Sequence, residues 1–440
     1  MKKYILTAAT LLFAAFSSAQ NYYLPAPEGF GAATTGGGDS TPVTVSTYTA
    51  LKSNLTSAGS KVILVSGEIT VPSGQMISAV ISNKSIIGLP GARLINENQT
   101  TGAGILYLKP GSSNIIIRNL VFVGPGAYDI DGKDNLTADG VSRLWVDHCE
   151  FQDGQDGNFD IKGLSDNISV SWCKFTYLKP PVAGGSGGSN DHRFSNLVGS
   201  GPTDAPGDGH YSITFQNCYW AEGIKGRMPR ARNAELHILS SYFNTSVAGA
   251  VAIGLGGGIN NTTCYVENSN FAKVKTVYQG YPGDGGTVAI EFVNSMGGVS
   301  NIGTVPKPTY STTPIPVAEV AQFLTDPTCG AGASLLITAD GVVSPSACTN
   351  LGTQASQKAG MKKLTATLQQ DVLFLNFPKG IKGVANVKIF SALGQTVKSA
   401  EMDLSKSSAV QLNVGALDCG VYYISAQAAT DSFSGKFLKH

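Results

Sequence analysis

The sequence is short of charge. Asp, Glu, Lys and Arg make up only 14% of its 440 residues, and 31 basic side chains nearly cancel 30 acidic ones. So even a balance gives no global field to draw in nucleic acid or an acidic membrane surface, and neither is expected as a partner. Long apolar runs are missing as well. Beyond Phe16 no segment is apolar enough to span a bilayer. Helical heptads are absent, which excludes a bundle or coiled coil. Cysteine is too thinly spread for a dense disulfide framework: of the 7, Cys329 and Cys348 form the best candidate pair, flanking a short Gly/Ala/Ser-rich segment. What abounds is glycine, with 53 residues, as expected of many short strands joined by tight turns.

The N-terminus has the pattern of an export signal. Lys2-Lys3 is followed by an apolar run from Ile5 to Phe16 and by the small residues Ser17-Ser18-Ala19. This predicts a signal peptide over 1–19, cut ahead of Gln20, and a mature chain that is secreted or held at the cell surface.

A repeat organises the middle of the chain: apolar, any, apolar, two variable residues, small or Cys, any, aromatic. It fits Ile115-Ile117-Leu120-Phe122, Leu144-Val146-Cys149-Phe151, Ile168-Val170-Cys173-Phe175 and Ile213-Phe215-Cys218-Trp220. It continues in Leu236-Ile238-Ser241-Phe243 and Cys264-Val266-Ser269-Phe271, and fades at Ile290-Phe292-Ser295. The aromatics step by 29, 24, 45, 23 and 28 residues, and the 45 predicts one coil without the pattern. Alternation at period two marks strands, and a period near 25 marks stacked supersecondary units. Together they predict an all-β parallel β-helix, with a β-sandwich as the alternative. Cys149, Cys173 and Cys218 then share an inward column with Ser241, Ser269 and Ser295, as packing residues. An amphipathic helix over Thr49 to Ala58 is expected to cap the open end of the stack.

The composition divides the chain into a β-helix domain over 20–350, a polar linker over 351–363 and a small β-strand module over 364–440. In that module Asn386-Val-Lys-Ile-Phe390, Leu393-Gly-Gln395 and Leu417-Asp-Cys-Gly-Val-Tyr-Tyr-Ile424 resemble the C-terminal sorting domain of the type IX secretion system. That resemblance implies a β-sandwich read by the export machinery. The alternative is an accessory β-domain.

Two sets of residues carry chemistry. Asp156 and Asp160 stand four apart across a turn entering a strand, and Asp134 lies one coil earlier. Stacked coils bring such carboxylates together, and calcium takes several oxygen ligands in flexible geometry. Asp131, Asp139, Asp147 and Asp153 are nearby, so the ligand choice stays open, and turn aspartates often serve only the backbone. Downstream, Arg227-Met-Pro-Arg-Ala-Arg232 offers guanidinium groups that match carboxylates bidentately, with Pro229 permitting a bend that aims Arg227 and Arg232 at one groove. A hard cation beside guanidinium groups suits an acidic sugar polymer; the plain alternative is a solvated basic patch.

Motifs in a fixed order resemble the pectate lyase family of polysaccharide lyases. They are Gly29-Phe-Gly-Ala-Ala-Thr-Thr-Gly-Gly37, Asn83-Lys-Ser-Ile-Ile-Gly-Leu89, Leu144-Trp-Val-Asp-His-Cys-Glu-Phe151, Asp156-Gly-Asn-Phe-Asp160, Ile168-Ser-Val-Ser-Trp172 and Glu222 to Arg232. The resemblance implies a right-handed parallel β-helix and calcium-dependent β-elimination on pectate by a monomer. It makes Asp134, Asp156 and Asp160 metal ligands, Arg227 the catalytic base, and Lys179 and Arg232 substrate-binding residues. Many members have Glu where this chain has Asp156, and some have Asp where it has Gly132. Asp147 and His148 are read as structural groups beside the groove, and His192 as a groove or structural residue. Because a guanidinium must lose a proton to act as a base, activity is expected to rise toward alkaline pH. Other readings are a calcium-independent pectin lyase, a glycoside hydrolase with paired carboxylates, and a non-catalytic pectin-binding surface protein.

Overall fold

The structure is a computed structural model that describes residues 22–99, 103–130, 134–348, 361–378, 380–391, 396–405, 407–428 and 431–439. The expected signal peptide, Asp131, Gly132 and nearly all of the expected linker lie outside the described residues. The chain divides into two compact units, Met1–Leu351 and Gly352–His440.

The first unit is a parallel β-helix. Its coils build three sheets of ten, eight and seven strands, in which each strand pairs with its counterparts in the neighbouring coils. The repeat read from the sequence lies in the ten-stranded sheet, where Ile115, Leu144, Ile168, Ile213, Leu236, Cys264 and Ile290 occupy one register column. All seven are buried. A single left-handed residue then turns five coils into the seven-stranded sheet, at Asn119, His148, Trp172, Asn217 and Ser240. Asn268 and Asn294 make the same turn in the later coils, and all seven have φ between 46° and 55°. Asn tolerates this region because its short side chain bonds locally. His148 and Trp172 accept it while stacking on each other at 5.3 Å.

The next column is the predicted one. Cys149, Cys173 and Cys218 are buried free thiols. Serines continue the column as a ladder, in which the Cys218 and Ser241 N–H groups donate to Ser241 and Ser269 Oγ, each at 3.1 Å. Beyond it the aromatics form a stack from Phe122 through Phe151, Phe175, Trp220 and Phe243 to Phe271, with ring centres 4.2–5.6 Å apart. The 45-residue step hides no extra coil. Phe175 pairs directly with Trp220, so the surplus residues form excursions around the short strand Leu197–Val198. The pattern was not missing from a coil; one coil is longer.

The helix Tyr48–Thr56 buries Leu51 and Leu55 in the core at the start of the stack, and Thr47 Oγ1 accepts its Ala50 N–H at 3.3 Å. A second helix, Val317–Leu324, packs Val320, Phe323 and Leu324 beside Trp145 and Trp172. Cys329 and Cys348 are joined in a disulfide.

The second unit holds a five-stranded and a three-stranded sheet, with most of its pairings antiparallel. Alternate residues of Val384–Phe390 and Gly420–Ala428 are buried, the period-two pattern of sheets with one face on a core. Val387, Ile389, Ile424 and Phe433 share that core with Leu373 and Leu375. Among the described residues, no helix is long and apolar enough to cross a membrane.

Candidate active site

The site forms on the outer face of the eight-stranded sheet. Leu136, Ala138, Phe159, Ile161, Val198 and Ala231 point into the core. Alternation therefore turns Thr137, Asp160, Leu197 and Arg230 outward. Register stacks them in that order, since Thr137 pairs with Asp160, Ile161 with Val198, and Leu197 with Arg230. One turn earlier in each coil a second stack runs alongside. The Asn135 N–H donates to Gly157 O, the Asn158 N–H to Ser195 O, and the Ser195 and Asn196 N–H groups to the Gly226 and Arg227 carbonyls. Adjacent rungs thus carry Asp134 and Asp156, and Arg227 follows beyond the intervening Ser195–Asn196 rung, on the same face as Asp160.

Burial and mutual repulsion set the electrostatics. Asp134 is 3% exposed. One of its oxygens accepts the Thr137 hydroxyl at 2.7 Å, while Oδ1 is buried without a hydrogen-bond partner. Burial first, and then the Asp156 charge, push its pKa up to about 6 against the pull of Thr137, Lys162 and Arg227. Burial and the Asp134 charge push Asp160 well above the carboxylate range, although Arg227 and the Leu197 N–H, at 2.8 Å, oppose this. Gly157 keeps the space between the two open: a Cβ there would fall 2.7 Å from Asp134 Oδ1 and 3.0 Å from Asp160 Oδ1. Carboxylates crowded together with one oxygen left bare offer the kind of oxygen donor set that suits a hard cation.

Arg227 sits at the bend, not in a strand. Its φ is 57°, and the strand Arg230–Ala231 begins only after Pro229. Its guanidinium lies on the Phe194 ring at 4.6 Å. Arg232 is engaged on both sides: Nε lies 3.0 Å from Asp284 Oδ2 and Nη1 donates to Gly199 O at 2.9 Å. Burial would raise the Asp284 pKa, but Arg230 and Arg232 outweigh it and hold it below the usual range. Lys179 is turned elsewhere. Its Nζ donates to Gly124 O at 2.9 Å, and among the described residues no ion pair joins it to a carboxylate.

Other aspartates near the motif separate cleanly. Asp153 accepts the Leu178 and Lys179 N–H groups. Asp139 accepts the Tyr107 hydroxyl. Asp147 is fully buried under the ten-stranded sheet's outer layer, bound by Arg118 at 2.8 Å, His148 at 2.9 Å and Ser171 at 2.6 Å. Asp147 and His148 are structural groups, but on a different sheet from the acidic cluster. Sequence reasoning passed over Asp129, which faces His192 at 3.2 Å, and His192 in turn reaches Asp156 at 2.9 Å. The one available signal was the Asp-His pair 191–192, near the end of the excursion that runs from Thr176 to Leu197.

The family model described as Pectate lyase matches residues 2–282, well over half of the chain. The chain belongs to the pectate lyase family. A second model, the Secretion system C-terminal sorting domain, matches residues 369–440, which marks this pectate lyase family member for secretion or the cell surface. A pectate trisaccharide-lyase of Thermotoga sp. (strain RQ2) is 34% identical over 238 residues, covering 51% of this chain and 57% of the relative. Pectate lyase B of Colletotrichum gloeosporioides is 30% identical over 297 residues, 65% of this chain and 80% of the relative. The chain thus spans little more than half the length of the first of these relatives. Among solved structures, the thermostable pectate lyase PL 47 aligns over 70% of this chain and 97% of its own, with a TM-score of 0.53 at 19% identity. A pectate lyase from Bacillus sp. N165 in complex with trigalacturonate aligns over 67% and 96%, with a TM-score of 0.50 at 20% identity. These structures share the fold.

Proposed function

We propose that the chain is a secreted pectate lyase that cleaves de-esterified polygalacturonate by calcium-assisted β-elimination, releasing unsaturated oligogalacturonides. The observation that carries this reading is the convergence of Arg227 on the rungs of Asp134, Asp156 and Asp160. A hydrolase needs two carboxylates flanking the bond, one of them free to donate a proton; here the base is assigned to the Arg227 guanidinium instead.

Asp134, Asp156 and Asp160 would hold the calcium, and the bare Asp134 Oδ1 and the gap above Gly157 fit it. Bound there, calcium supplies positive charge for the uronate carboxylate and for the electron density that builds on it. Arg227 takes the proton on the carbon next to that carboxylate. The electron pair left behind forms a carbon–carbon double bond, the neighbouring carbon–oxygen bond breaks, and the departing glycosidic oxygen takes a proton from water, Arg227 returning its own to solvent. Phe194 holds the Arg227 side chain over the groove. Arg232 is proposed to bind a uronate carboxylate, Asp284 and Gly199 fixing its plane. Lys179 is proposed as a further substrate contact, which requires its ammonium to leave the Gly124 carbonyl.

The remaining organisation belongs to the same proposal: a signal peptide over 1–19, a lyase domain over 20–350, a linker over 351–363, and a module over 364–440 that the type IX machinery reads. The working unit is a monomer. Incubating the chain from Gln20 onward with polygalacturonate and Ca²⁺ tests the activity. Ultraviolet-absorbing unsaturated product that disappears on chelation is expected. Saturated ends would indicate a hydrolase, chelator-resistant cleavage of methylated chains a pectin lyase, and binding without cleavage a surface-binding protein.

A further inference from the structure

Beside the three aspartates, the described residues contain a tighter group. Asp129, Asp156 and His192 each offer a ligand atom, and these atoms all lie within 4.8 Å of one another. His192 is 6% exposed. Its Nδ1 lies 3.2 Å from Asp129 Oδ1 and its Nε2 2.9 Å from Asp156 Oδ1, yet neither nitrogen makes a hydrogen bond of acceptable angle. The carboxylates flank the ring off its N–H axes. A hydrogen bond wants the oxygen on the axis. Only one ring nitrogen can take a given ion, the other keeping its neighbouring carboxylate, and with one ligand atom per residue the three atoms still lie within 4.8 Å. Two ligands of one ion, each about 2.1 Å from it and at a right angle, stand about 3 Å apart with the oxygen well off axis.

The surroundings are built to hold this arrangement. Asp129 Oδ2 accepts the Ser189 N–H at 2.6 Å and its carbonyl accepts the Gly187 N–H at 2.9 Å, which leaves Oδ1 directed at the ring. The glycines of that loop are needed: a Cβ on Gly185 or Gly187 would meet Asp129 at 2.1 or 2.0 Å. His192 packs edge-on against Phe194 at 4.6 Å, which fixes the ring plane. Such outer contacts orient metal ligands and tune affinity.

We propose that Asp129, His192 and Asp156 form a second cation site, selective for a borderline divalent transition metal such as Zn²⁺ or Co²⁺ over Ca²⁺. An imidazole nitrogen suits these ions, whereas calcium prefers oxygen throughout. Asp156 is shared with the calcium ligands of the proposed function, but the second site requires neither calcium nor lyase activity, so the two stand or fall separately.

The test uses the full chain stripped with chelator and titrated separately with Co²⁺, Zn²⁺ and Ca²⁺. Co²⁺ is followed by its visible absorption band and the other two by calorimetry. One Co²⁺ band per chain, and Zn²⁺ binding that depends on His192, are expected. His192→Gln should abolish the band and weaken Zn²⁺ roughly 10–100-fold, with Ca²⁺ affinity changed less than about threefold. Asp129→Asn, which keeps the loop's size, should weaken Zn²⁺ in the same range. A band that survives His192→Gln, or Zn²⁺ binding that His192→Gln leaves unchanged, overturns the assignment. Should His192→Gln fail to fold, the Asp129→Asn titration decides alone.

Discussion

The Arg227 guanidinium rests 4.6 Å from the centre of the Phe194 ring, which His192 also meets edge-on at 4.6 Å. The aromatic therefore links the proposed base to His192, and among the described residues no ion pair ties the guanidinium down. Arg227→Lys keeps the charge but loses the planar fork and the stacking. Its turnover of polygalacturonate should fall by roughly 10²–10⁴, the range for loss of a positioned base. Phe194→Leu should cost less, up to about 30-fold, in line with a cation–π contact of about 0.5–2 kcal/mol. Both are read from the rate of unsaturated product; wild-type turnover in Arg227→Lys would remove it from the mechanism.

Metal-free protein should lose stability as pH rises. Asp134 titrates near 6 in the folded chain and Asp160 is shifted in the same direction, both above an unfolded value near 3.8. The folded state therefore binds more protons, and stability present below about pH 4 declines as pH climbs through about 6. Asp147 is shifted the other way, held down by His148 and Arg118 against its burial, so its contribution is lost only below the ordinary carboxylate range. Melting of the chelated chain at pH 5 and pH 8 should show the lower midpoint at pH 8, with Ca²⁺ restoring it. Equal midpoints would mean that the carboxylates do not repel as their burial implies.

Much of the coil was legible because its rungs repeat one chemical pattern. The inward column of Cys149, Cys173, Cys218, Ser241 and Ser269 and the aromatic stack above it follow from register alone, since equivalent residues must align in a parallel ladder. Excursions were not legible. Nothing between Phe175 and Trp220 states that the chain leaves the stack and returns to the next rung, so the residues that excursion delivers, His192 and Phe194, carried no period to follow. The same holds for Asp129, whose role depends on a glycine loop some sixty residues later; its partner Ser189 reaches it only in three dimensions. Lys179 was placed by likeness of sequence, and the fold turns its ammonium to a backbone carbonyl.

Asp147 stabilises the molecule without serving the site. It is fully buried and bonded to Arg118, His148 and Ser171, and Arg118 also donates to the Leu24 carbonyl at 3.0 Å, tying the N-terminal segment to the coil. Asp147→Asn leaves a buried guanidinium without its counter-charge, a change that typically costs about 3–5 kcal/mol. Thermal unfolding should move sharply downward while the KM measured well below the transition stays within about twofold. A large change in KM with an unchanged midpoint would place Asp147 in the groove after all.

Arg232 and Asp284 should behave as one unit. Asp284 sits between Arg230 and Arg232, and the Arg230 guanidinium also lies 3.5 Å over the Tyr281 ring, so a single carboxylate organises two cations that would otherwise repel. Arg232→Ala removes the proposed uronate contact and should raise KM for polygalacturonate by roughly 10–100-fold with a smaller change in kcat, as loss of uniform binding does. Asp284→Asn should raise KM in the same direction but less, because the guanidinium remains and only its orientation is lost. If Asp284 acts through Arg232, the double variant is no worse than Arg232→Ala alone, a non-additivity expected of residues in direct contact. Additive effects would separate them, leaving Asp284 as a brace for Arg230 and the coil, and Arg232 as the sole holder of the sugar.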